Sequence, residues 1–350
     1  MSVAPQRRNR HERRRIGEIG ARRPGRRRER WKRRAHGDAP LELLLRGAFR
    51  HLAALRALCA NECPGSVSDV IGIIGGTGLY AMRELGTPRT RTVSTPFGAP
   101  SAPLVTGTLH GREVAFLARH GLQHQLLPGE INFRANIWAL KSLGVRTVIG
   151  VSAVGSLREE IRPGDIALPS QYLDFTRGTR AASFFGGGLV AHISSAQPTC
   201  RATAALIARV ARAGAVALHE DKTYACVEGP RLGTRAESLF LRGAGADVVG
   251  MTNVPEAFLA LEAQLGYCTI AVATDYDSWL EDPTQHASAE QILRLFQASL
   301  GRVQQLLAGA VAEHREDESR PCRQALRGAL VTPREQMSAE QRALLEFLQS

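Results

Sequence analysis

Short apolar runs recur along most of the chain, each bounded by glycine or polar residues. These runs are rich in β-branched residues and too short for helices, which is typical of strands buried on both faces. The predicted strands cover residues 71–74, 113–117, 145–151, 165–168, 248–249 and 268–273. Each of these strands is therefore expected to lie inside a sheet.

Longer segments between these runs place apolar side chains at the three- and four-residue spacing of one helix face. The predicted helices cover residues 132–143, 202–213, 233–245, 255–264 and 289–312. Ser338 is a suitable N-cap for a further short helix over residues 338–348. Strands that alternate with such helices predict an α/β fold, a single domain with a central mixed, mostly parallel sheet flanked by helices.

The first apolar run ends in a glycine-rich turn, Gly75-Gly76-Thr77-Gly78. Glycines let a backbone turn sharply and approach a ligand closely, and the turn offers N–H groups and one hydroxyl to an anion. The spacing is not that of the dinucleotide fingerprint, and no lysine follows as it does in a P-loop. A tight turn without a ligand is the alternative.

Further polar clusters follow other predicted strands. They contain Arg119 with His120, Ser152 with Ala153, Met251 with Thr252, and Asp275 with Asp277. Ligands of open α/β sheets bind beyond the carboxyl ends of the strands. The positions of these clusters therefore predict one ligand site at that edge of the sheet.

The first of these side chains suit a tetrahedral oxyanion. Arg119 supplies a charged fork, while Thr77, Ser152 and Thr252 supply hydroxyl groups beside His120. Because neither a metal-ligand cluster nor a P-loop lysine accompanies them, free phosphate is favoured over a nucleoside triphosphate. The alternative for Arg119 and His120 is a surface salt bridge.

Asp275 and Asp277 lie two residues apart at a strand end. Two carboxyl groups near one apolar cavity can separate their pKa values, so that one stays protonated and donates to a heteroaromatic leaving group. A solvated turn is the alternative for this pair. Met251 is suited to lie under a sugar ring, or to fill the core.

The positive charge of the chain is confined to its beginning. The chain has 350 residues and a formal net charge of +12, and residues 1–36 hold 15 of the 45 Lys and Arg but 3 of the 33 Asp and Glu. The remaining residues carry 30 of each sign, which argues against a nucleic-acid-binding core. The Arg-rich segment 1–40 is expected to be disordered, and either binds nucleic acid non-specifically or is a solvated extension.

The cysteines and the apolar content predict a cytoplasmic protein without a membrane partner. No run approaches the ~20 apolar residues of a membrane helix, and no signal-peptide pattern follows the basic segment. Of the six cysteines, the one close pair, Cys59 and Cys63, lacks a second pair to complete a tetrahedral metal site. We expect reduced thiols and no metal.

In their residues and in their order along the chain, these motifs resemble the 5′-methylthioadenosine phosphorylases of the trimeric purine nucleoside phosphorylase family. The resemblance extends from about residue 70 to about residue 310. The matching segments are 72–78, 95–101, 117–121, 132–141, 155–160, 163–165, 228–231, 234–238, 251–256 and 273–277. The resemblance implies a nucleoside phosphorylase-like fold, a homotrimer, and phosphorolysis with phosphate as co-substrate and no cofactor. The implied products are adenine and 5-methylthioribose 1-phosphate, in purine and methionine salvage.

The resemblance also implies roles for matched residues. Asp275 would share a proton with N7 of the departing purine, and Asp277 would lie near its 6-amino group. The residues implied for phosphate, with Ser152 added for its hydroxyl, are Thr77, Arg119, His120, Ser152, Ala153 and Thr252. The residues implied for the nucleoside are Val154, Gly155, Leu232, Gly250, Met251, Ala289 and Ile292, with His192 from the neighbouring subunit near the 5′ group.

Two departures from the family pattern leave the substrate open. Leu232 stands where many relatives carry a phenylalanine against the purine, and relatives that act on methylthioinosine share this leucine. Those relatives carry asparagine where this chain has Asp275, so the aspartate favours adenine. The alternatives are a purine nucleoside or 5′-methylthioinosine phosphorylase and, in another class, nucleic-acid binding through segment 1–40. A nicotinamide-dependent dehydrogenase is disfavoured because the dinucleotide fingerprint is missing.

These observations predict four regions. Residues 1–40 form the Arg-rich tail, 41–66 a helical linker, and 67–315 the nucleoside phosphorylase domain. Residues 316–350 are expected to form a charged C-terminal extension with one short helix.

Overall fold

A computed structural model describes residues 69–79, 82, 84–178, 180–282 and 288–350, and the expectations for 1–40 and 41–66 lie outside these residues. The strands are β1 (Val70–Gly75), β2 (Gly86–Arg91), β3 (Leu104–Leu109), β4 (Arg112–Ala118), β5 (Val145–Ser156), β6 (Ile166–Phe175), β7 (Leu218–Val227), β8 (Val248–Gly250) and β9 (Gly266–Asp275). The helices are α1 (Phe133–Ser142), α2 (Arg201–Ala213), α3 (Arg235–Gly243), α4 (Asn253–Glu262), α5 (Ala289–Glu313) and α6 (Ala339–Gln349).

The strands form one mixed sheet in the order β2-β3-β4-β1-β5-β8-β7-β6-β9, and β9 also pairs with β5. This additional pairing closes β5, β8, β7, β6 and β9 into a ring. The pairs β1–β4, β1–β5, β5–β9, β6–β7 and β7–β8 are parallel, which confirms the predicted mixed, mostly parallel sheet. The antiparallel pairs are β2–β3, β3–β4, β5–β8 and β6–β9.

Helices cover both faces of the sheet, as the doubly buried strands require. Side chains of β1 alternate between the two faces: Ile74 packs in the same cluster as α1 and α4, whereas Ile71 and Ile73 pack with α2 and α5. Four of the helices, α1, α3, α5 and α6, begin at side chains that cap them. Asn132 accepts a hydrogen bond from the backbone of α1, and Thr234 forms a capping box at α3.

Three strands, β2, β3 and β7, were not predicted because none of them is a continuous apolar run. β2 is almost wholly exposed and contains a proline, so it carries no apolar signal. β3 includes Gly107, where a Cβ would lie 2.8 Å from the carbonyl oxygen of Gly86 on β2. The first half of β7 is charged and partly exposed. An edge strand or a half-exposed strand lacks the continuous apolar run on which the prediction depended.

The segment 316–350 packs on the rest of the domain. Its predicted helix is present as α6, which begins at a capping box formed by Ser338 and Gln341. The side chains that it adds to the core on the α1 face are Leu326, Met337, Leu345 and Leu348. In the part of the chain that the structure describes, no helix is long and apolar enough to cross a membrane.

Candidate active site

The predicted polar clusters do meet at one edge of the sheet. The parallel pairing of β1 with β4 brings Gly75 opposite Ala118, and the backbone N–H of Arg119 donates to the carbonyl of Gly75 over 2.9 Å. On the other side of β1, the β5–β9 pair brings Gly155 opposite Asp275. The register of the four strands β4, β1, β5 and β9 therefore places the arginine and the aspartate at the same edge.

Arg119 is buried and forms an ion pair. Its Nε and Nη2 donate to the two carboxylate oxygens of Glu256 over 2.8 and 2.7 Å, and its Nη1 donates to the carbonyl of Val151 over 2.6 Å. Burial alone would lower the pKa of Arg119, but the Glu256 carboxylate holds that pKa above its usual value. The guanidinium is thus charged, fixed in direction and shielded from solvent, unlike a surface salt bridge.

His120 is held as a neutral imidazole. Its Nδ1 lies 2.9 Å from the carbonyl oxygen of Leu126, which can only accept, so Nδ1 carries the proton and Nε2 has a free lone pair. Burial, aided by Arg119 and by the ring of His124 stacked 4.4 Å away, lowers the pKa of His120 to about 4. At neutral pH its Nε2 is therefore able to accept a hydrogen bond from a protonated oxyanion.

Three hydroxyl groups form a buried cluster. The Oγ of Ser152 lies 3.3 Å from the Oγ1 of Thr252 and 3.4 Å from the hydroxyl of Tyr224. Gly250 makes room for this tyrosine, because a Cβ there would lie 2.0 Å from its hydroxyl oxygen. Ala153 follows Ser152 on β5 and lies opposite Val272 on β9. These groups offer both donors and acceptors to an oxyanion.

The two aspartates lie together at the end of β9 and are both buried. Asp275 accepts hydrogen bonds from the hydroxyl of Thr274 and the backbone N–H of Asp277, each over 2.8 Å. Burial raises the pKa of Asp275, and the neighbouring Asp277 charge raises it further. A Cβ on Gly155 would lie 3.0 Å from the Asp275 carboxylate, so this glycine keeps the space above it open.

A loop after β7 approaches the same aspartates. A Cβ on Gly229 would lie 2.5 Å from the sulfur of Met251, and one on Gly233 would lie 3.6 Å from the carboxylate of Asp277. Leu232, between these glycines, keeps 37% of its surface exposed. This loop therefore leads from the methionine to the carboxylate pair, and its leucine remains available to a ligand.

Other predicted site residues lie on β5, after β1 and at the start of α5. Val154 is buried, and its carbonyl accepts a hydrogen bond from Thr274. The side chain of Thr77 lies outside the described parts of the chain, as do residues 283–287 just before Ala289. Ala289 is exposed and Ile292 half-buried in the first turn of α5.

The helix α5 reaches the glycine turn further along, where Gln304 donates to the carbonyl of Gly78 over 3.3 Å. His192 is exposed, and its backbone N–H donates to the carbonyl of Ala329. Within the described residues, no contact joins His192 to the aspartates or to Arg119.

Three residues of the site were missed by the sequence analysis: Glu256, Tyr224 and Arg180. Arg180 is buried and donates to the carbonyls of Met251 and Val254, so it fixes the turn that carries Thr252. The structure explains Glu256, because a buried arginine needs an anionic partner. The pairing across 137 positions could not be read from local spacing.

Over the described residues, one group of metal-ligating side chains occurs, at Asp69, His314 and Glu316. None of these belongs to the site described above. Asp69 and Glu316 are paired with Arg112 and Arg323, so cationic side chains surround the group.

Known proteins share both the sequence and the fold. A family model described as the phosphorylase superfamily matches residues 70–312. The S-methyl-5′-thioadenosine phosphorylase of Geobacter sulfurreducens is 45% identical over 282 residues, which cover 81% of this chain and 98% of that protein.

Solved structures agree with this similarity. A methylthioadenosine phosphorylase from an Antarctic soil metagenomic library is 44% identical with a TM-score of 0.75, covering 81% of this chain and 99% of the other. The methylthioadenosine phosphorylase of Schistosoma mansoni in complex with adenine is 33% identical with a TM-score of 0.68, covering 79% and 97%.

Proposed function

The chain belongs to the phosphorylase superfamily, and we propose that it cleaves 5′-methylthioadenosine with phosphate to adenine and 5-methylthioribose 1-phosphate. It is a pentosyltransferase of the purine nucleoside phosphorylase type, acting in purine and methionine salvage. The observation that carries the substrate assignment is the buried pair of Asp275 and Asp277, in which burial raises the pKa of Asp275 and so favours its protonated form.

In the reaction a phosphate oxygen forms a bond to C1′ while the bond from C1′ to N9 breaks. The electron pair of that bond passes into the purine, and Asp275 gives its proton to N7, so that neutral adenine departs. Protonating the base stabilises charge that develops only in the transition state, where binding is most effective for catalysis. Asp277 accepts a hydrogen bond from the 6-amino group.

The phosphate is held at the strand edge formed by β1, β4 and β5. Its proposed ligands are Thr77, Arg119, His120, Ser152, Ala153 and Thr252. Inorganic phosphate is the co-substrate, and we propose no metal or organic cofactor. Because Nε2 of His120 lacks a proton, we assign it to a protonated phosphate oxygen.

The nucleoside lies between the phosphate and the aspartates. Its proposed contacts are Val154, Gly155, Leu232, Gly250, Met251, Ala289 and Ile292. His192 completes the 5′ pocket of a neighbouring subunit in a homotrimer. Leu232 supports the second candidate, a methylthioinosine or purine nucleoside phosphorylase, because relatives that act on methylthioinosine share this leucine.

The proposed organisation keeps residues 67–315 as the catalytic domain and 316–350 as an extension that packs on it. We propose a cytoplasmic location, from the cysteine usage, and non-specific nucleic-acid binding by residues 1–40 as the one function outside catalysis. Deleting residues 1–40 is expected to abolish retention of RNA on a filter and to leave phosphorolysis unchanged.

The deciding assay measures free base released from 5′-methylthioadenosine and from 5′-methylthioinosine, each with and without phosphate, by chromatography. Adenine released only with phosphate, and faster than hypoxanthine, supports the proposal. Faster release of hypoxanthine would support the second candidate and would reassign Asp275. Base release that does not depend on phosphate would contradict phosphorolysis itself.

A further inference from the structure

The carboxylate of Glu256 belongs to a chain of buried polar groups behind the phosphate site. It accepts both hydrogen bonds from Arg119 and a third, over 2.8 Å, from the hydroxyl of Tyr267. Glu256 has no exposed surface. Resting on the phosphate role proposed for Arg119, we propose that Glu256 is a positioning residue that holds the guanidinium so that one N–H faces the phosphate.

The hydrogen bonds of Arg119 account for four of its five N–H groups. Nε and one N–H of Nη2 bind Glu256, the second N–H of Nη2 lies 3.4 Å from the carbonyl of Ile74, and one N–H of Nη1 binds Val151. Across the described residues, the second N–H of Nη1 has no acceptor. Val151 immediately precedes Ser152. The free N–H therefore belongs to Nη1, the nitrogen that is hydrogen-bonded next to the hydroxyl cluster.

The fold supplies this carboxylate from the same turn that supplies the anion-binding threonine. Thr252 precedes α4 and Glu256 lies in its first turn, four positions later. On β5, Gly150 leaves room for the network, because a Cβ there would lie 2.6 Å from the hydroxyl of Tyr267. Movement of α4 would therefore displace the threonine and the arginine together.

The network continues beyond Tyr267 to Asn253, whose amide oxygen is the one buried atom of this network without a partner among the described residues. Thr269 donates to the hydroxyl of Tyr267 over 3.2 Å, and Asn253 donates to Thr269 over 2.5 Å. The buried groups from Arg119 to Thr269 are hydrogen-bonded to one another, and such a network holds its members in one arrangement. This rigidity distinguishes a fixed donor from a mobile surface arginine.

The ion pair also cancels the arginine charge. The phosphate therefore meets a directed N–H rather than an unpaired cation, and its affinity depends on the direction in which Glu256 holds the guanidinium. In a Glu256→Gln variant, the new amide NH₂ group faces an N–H donor of Arg119, and the guanidinium loses its fixed orientation.

The test is the Glu256→Gln variant, assayed by steady-state kinetics with phosphate and nucleoside varied separately. We expect the KM for phosphate to rise about tenfold or more, while the KM for the nucleoside stays within about twofold. The matched control is Glu262→Gln. Glu262 lies on the same helix and is buried, but it accepts hydrogen bonds from Ser183 and Phe184 instead. Its variant is expected to leave both KM values within about twofold.

A purely structural role would lower thermal stability in both variants and leave the KM for phosphate the same in each, which would overturn the inference. If Glu256→Gln does not fold, Tyr267→Phe decides, since it removes one hydrogen bond from Glu256 and keeps both charges. A rise of about threefold or more in the KM for phosphate alone supports the inference, and no rise overturns it. Failure of the proposed function is distinguishable, because the unmodified protein would then release no adenine with phosphate.

Discussion

Asp275 is the residue whose environment has the sharpest chemical consequence. Its carboxyl group is buried, accepts hydrogen bonds from Thr274 and from the Asp277 backbone, and has a raised pKa. An Asp275→Asn variant fits the same space: its amide oxygen can accept from the Asp277 N–H while its NH₂ donates to the Thr274 hydroxyl. Because the amide cannot give a proton to N7, we expect adenine release to fall by about 10²- to 10⁴-fold.

This prediction is measured as kcat for 5′-methylthioadenosine at saturating phosphate. The control is Asp317→Asn, which removes an exposed carboxylate of the C-terminal segment. A loss of less than about threefold for Asp275→Asn would remove the proton-donor role, because a well-placed acid contributes far more than that.

The same residue links activity to stability. A carboxyl group whose pKa is raised by folding stabilises the fold in its protonated form. That contribution is fully present below the ordinary aspartate pKa of about 3.9 and is lost as pH rises through the higher folded value. Asparagine cannot ionise, so Asp275→Asn is expected to gain thermal stability relative to the unmodified protein as pH rises from 4 to 8.

Thermal unfolding of both proteins across this pH range tests the prediction. A difference in Tm that stays constant with pH would mean that Asp275 is already ionised in the folded protein. The two outcomes also bear on the kinetics, since an ionised Asp275 has no proton to give to the purine.

At the residue scale, sequence reasoning located the groups that follow strand ends and missed the ones that support them. Arg119 and the aspartates were found because parallel strands end at the same edge, whereas Ser152 lies within β5, four residues before its end. Glu256 was missed because its meaning depends on a partner 137 positions away. A local pattern indicates which side chains are able to bind a ligand, but not which distant residue holds such a side chain in place.

At the scale of elements, α6 makes the C-terminal segment part of the core. The ring of Phe347 stacks on Trp138 of α1 with centroids 3.7 Å apart, and Leu348 is fully buried. Val331 and Thr332 donate backbone hydrogen bonds to the carbonyl of Val190. The segment therefore also anchors the strand-like stretch that precedes His192.

Leu348→Ala is expected to destabilise the protein by about 2–5 kcal/mol, because it leaves a cavity between α6 and α1. Glu346→Ala, on the exposed side of the same helix, is the matched control and should change stability by less than ~0.5 kcal/mol. Denaturant unfolding monitored by circular dichroism measures both variants. Equal effects would show that α6 is bound only loosely in solution.

The elements that were hardest to predict are those with one exposed side. The buried strands β1, β4 and β9 had continuous apolar runs, and each was predicted to within two residues of its observed ends, whereas β5 runs five residues beyond its predicted end. β2 and the first half of β7 are polar because solvent covers them, so nothing local separates them from loops. Their place in the sheet is set by pairing with β3 and β6.

At the scale of the whole molecule, one chain brings together the groups proposed for phosphate and for the base, while the residue proposed for the 5′ group faces solvent. His192 is exposed and is held through Ala329 of the C-terminal segment. A ring of three identical subunits would give every site one His192 from its neighbour, because a cyclic assembly repeats the same contact around the axis. This arrangement makes two defective chains able to complement each other.

Co-expression of His192→Ala and Asp275→Asn chains tests this geometry directly. Each variant alone is expected to have low kcat/KM for 5′-methylthioadenosine. In randomly mixed trimers, about one quarter of the sites combine an intact Asp275 with an intact His192 from the neighbour, so about a quarter of the normal activity should return. If His192 served its own chain, no site in the mixture would be intact, and the activity would equal the mean of the two variants. Trimers of each variant mixed after assembly, without exchange of subunits, are the control and should show no recovery.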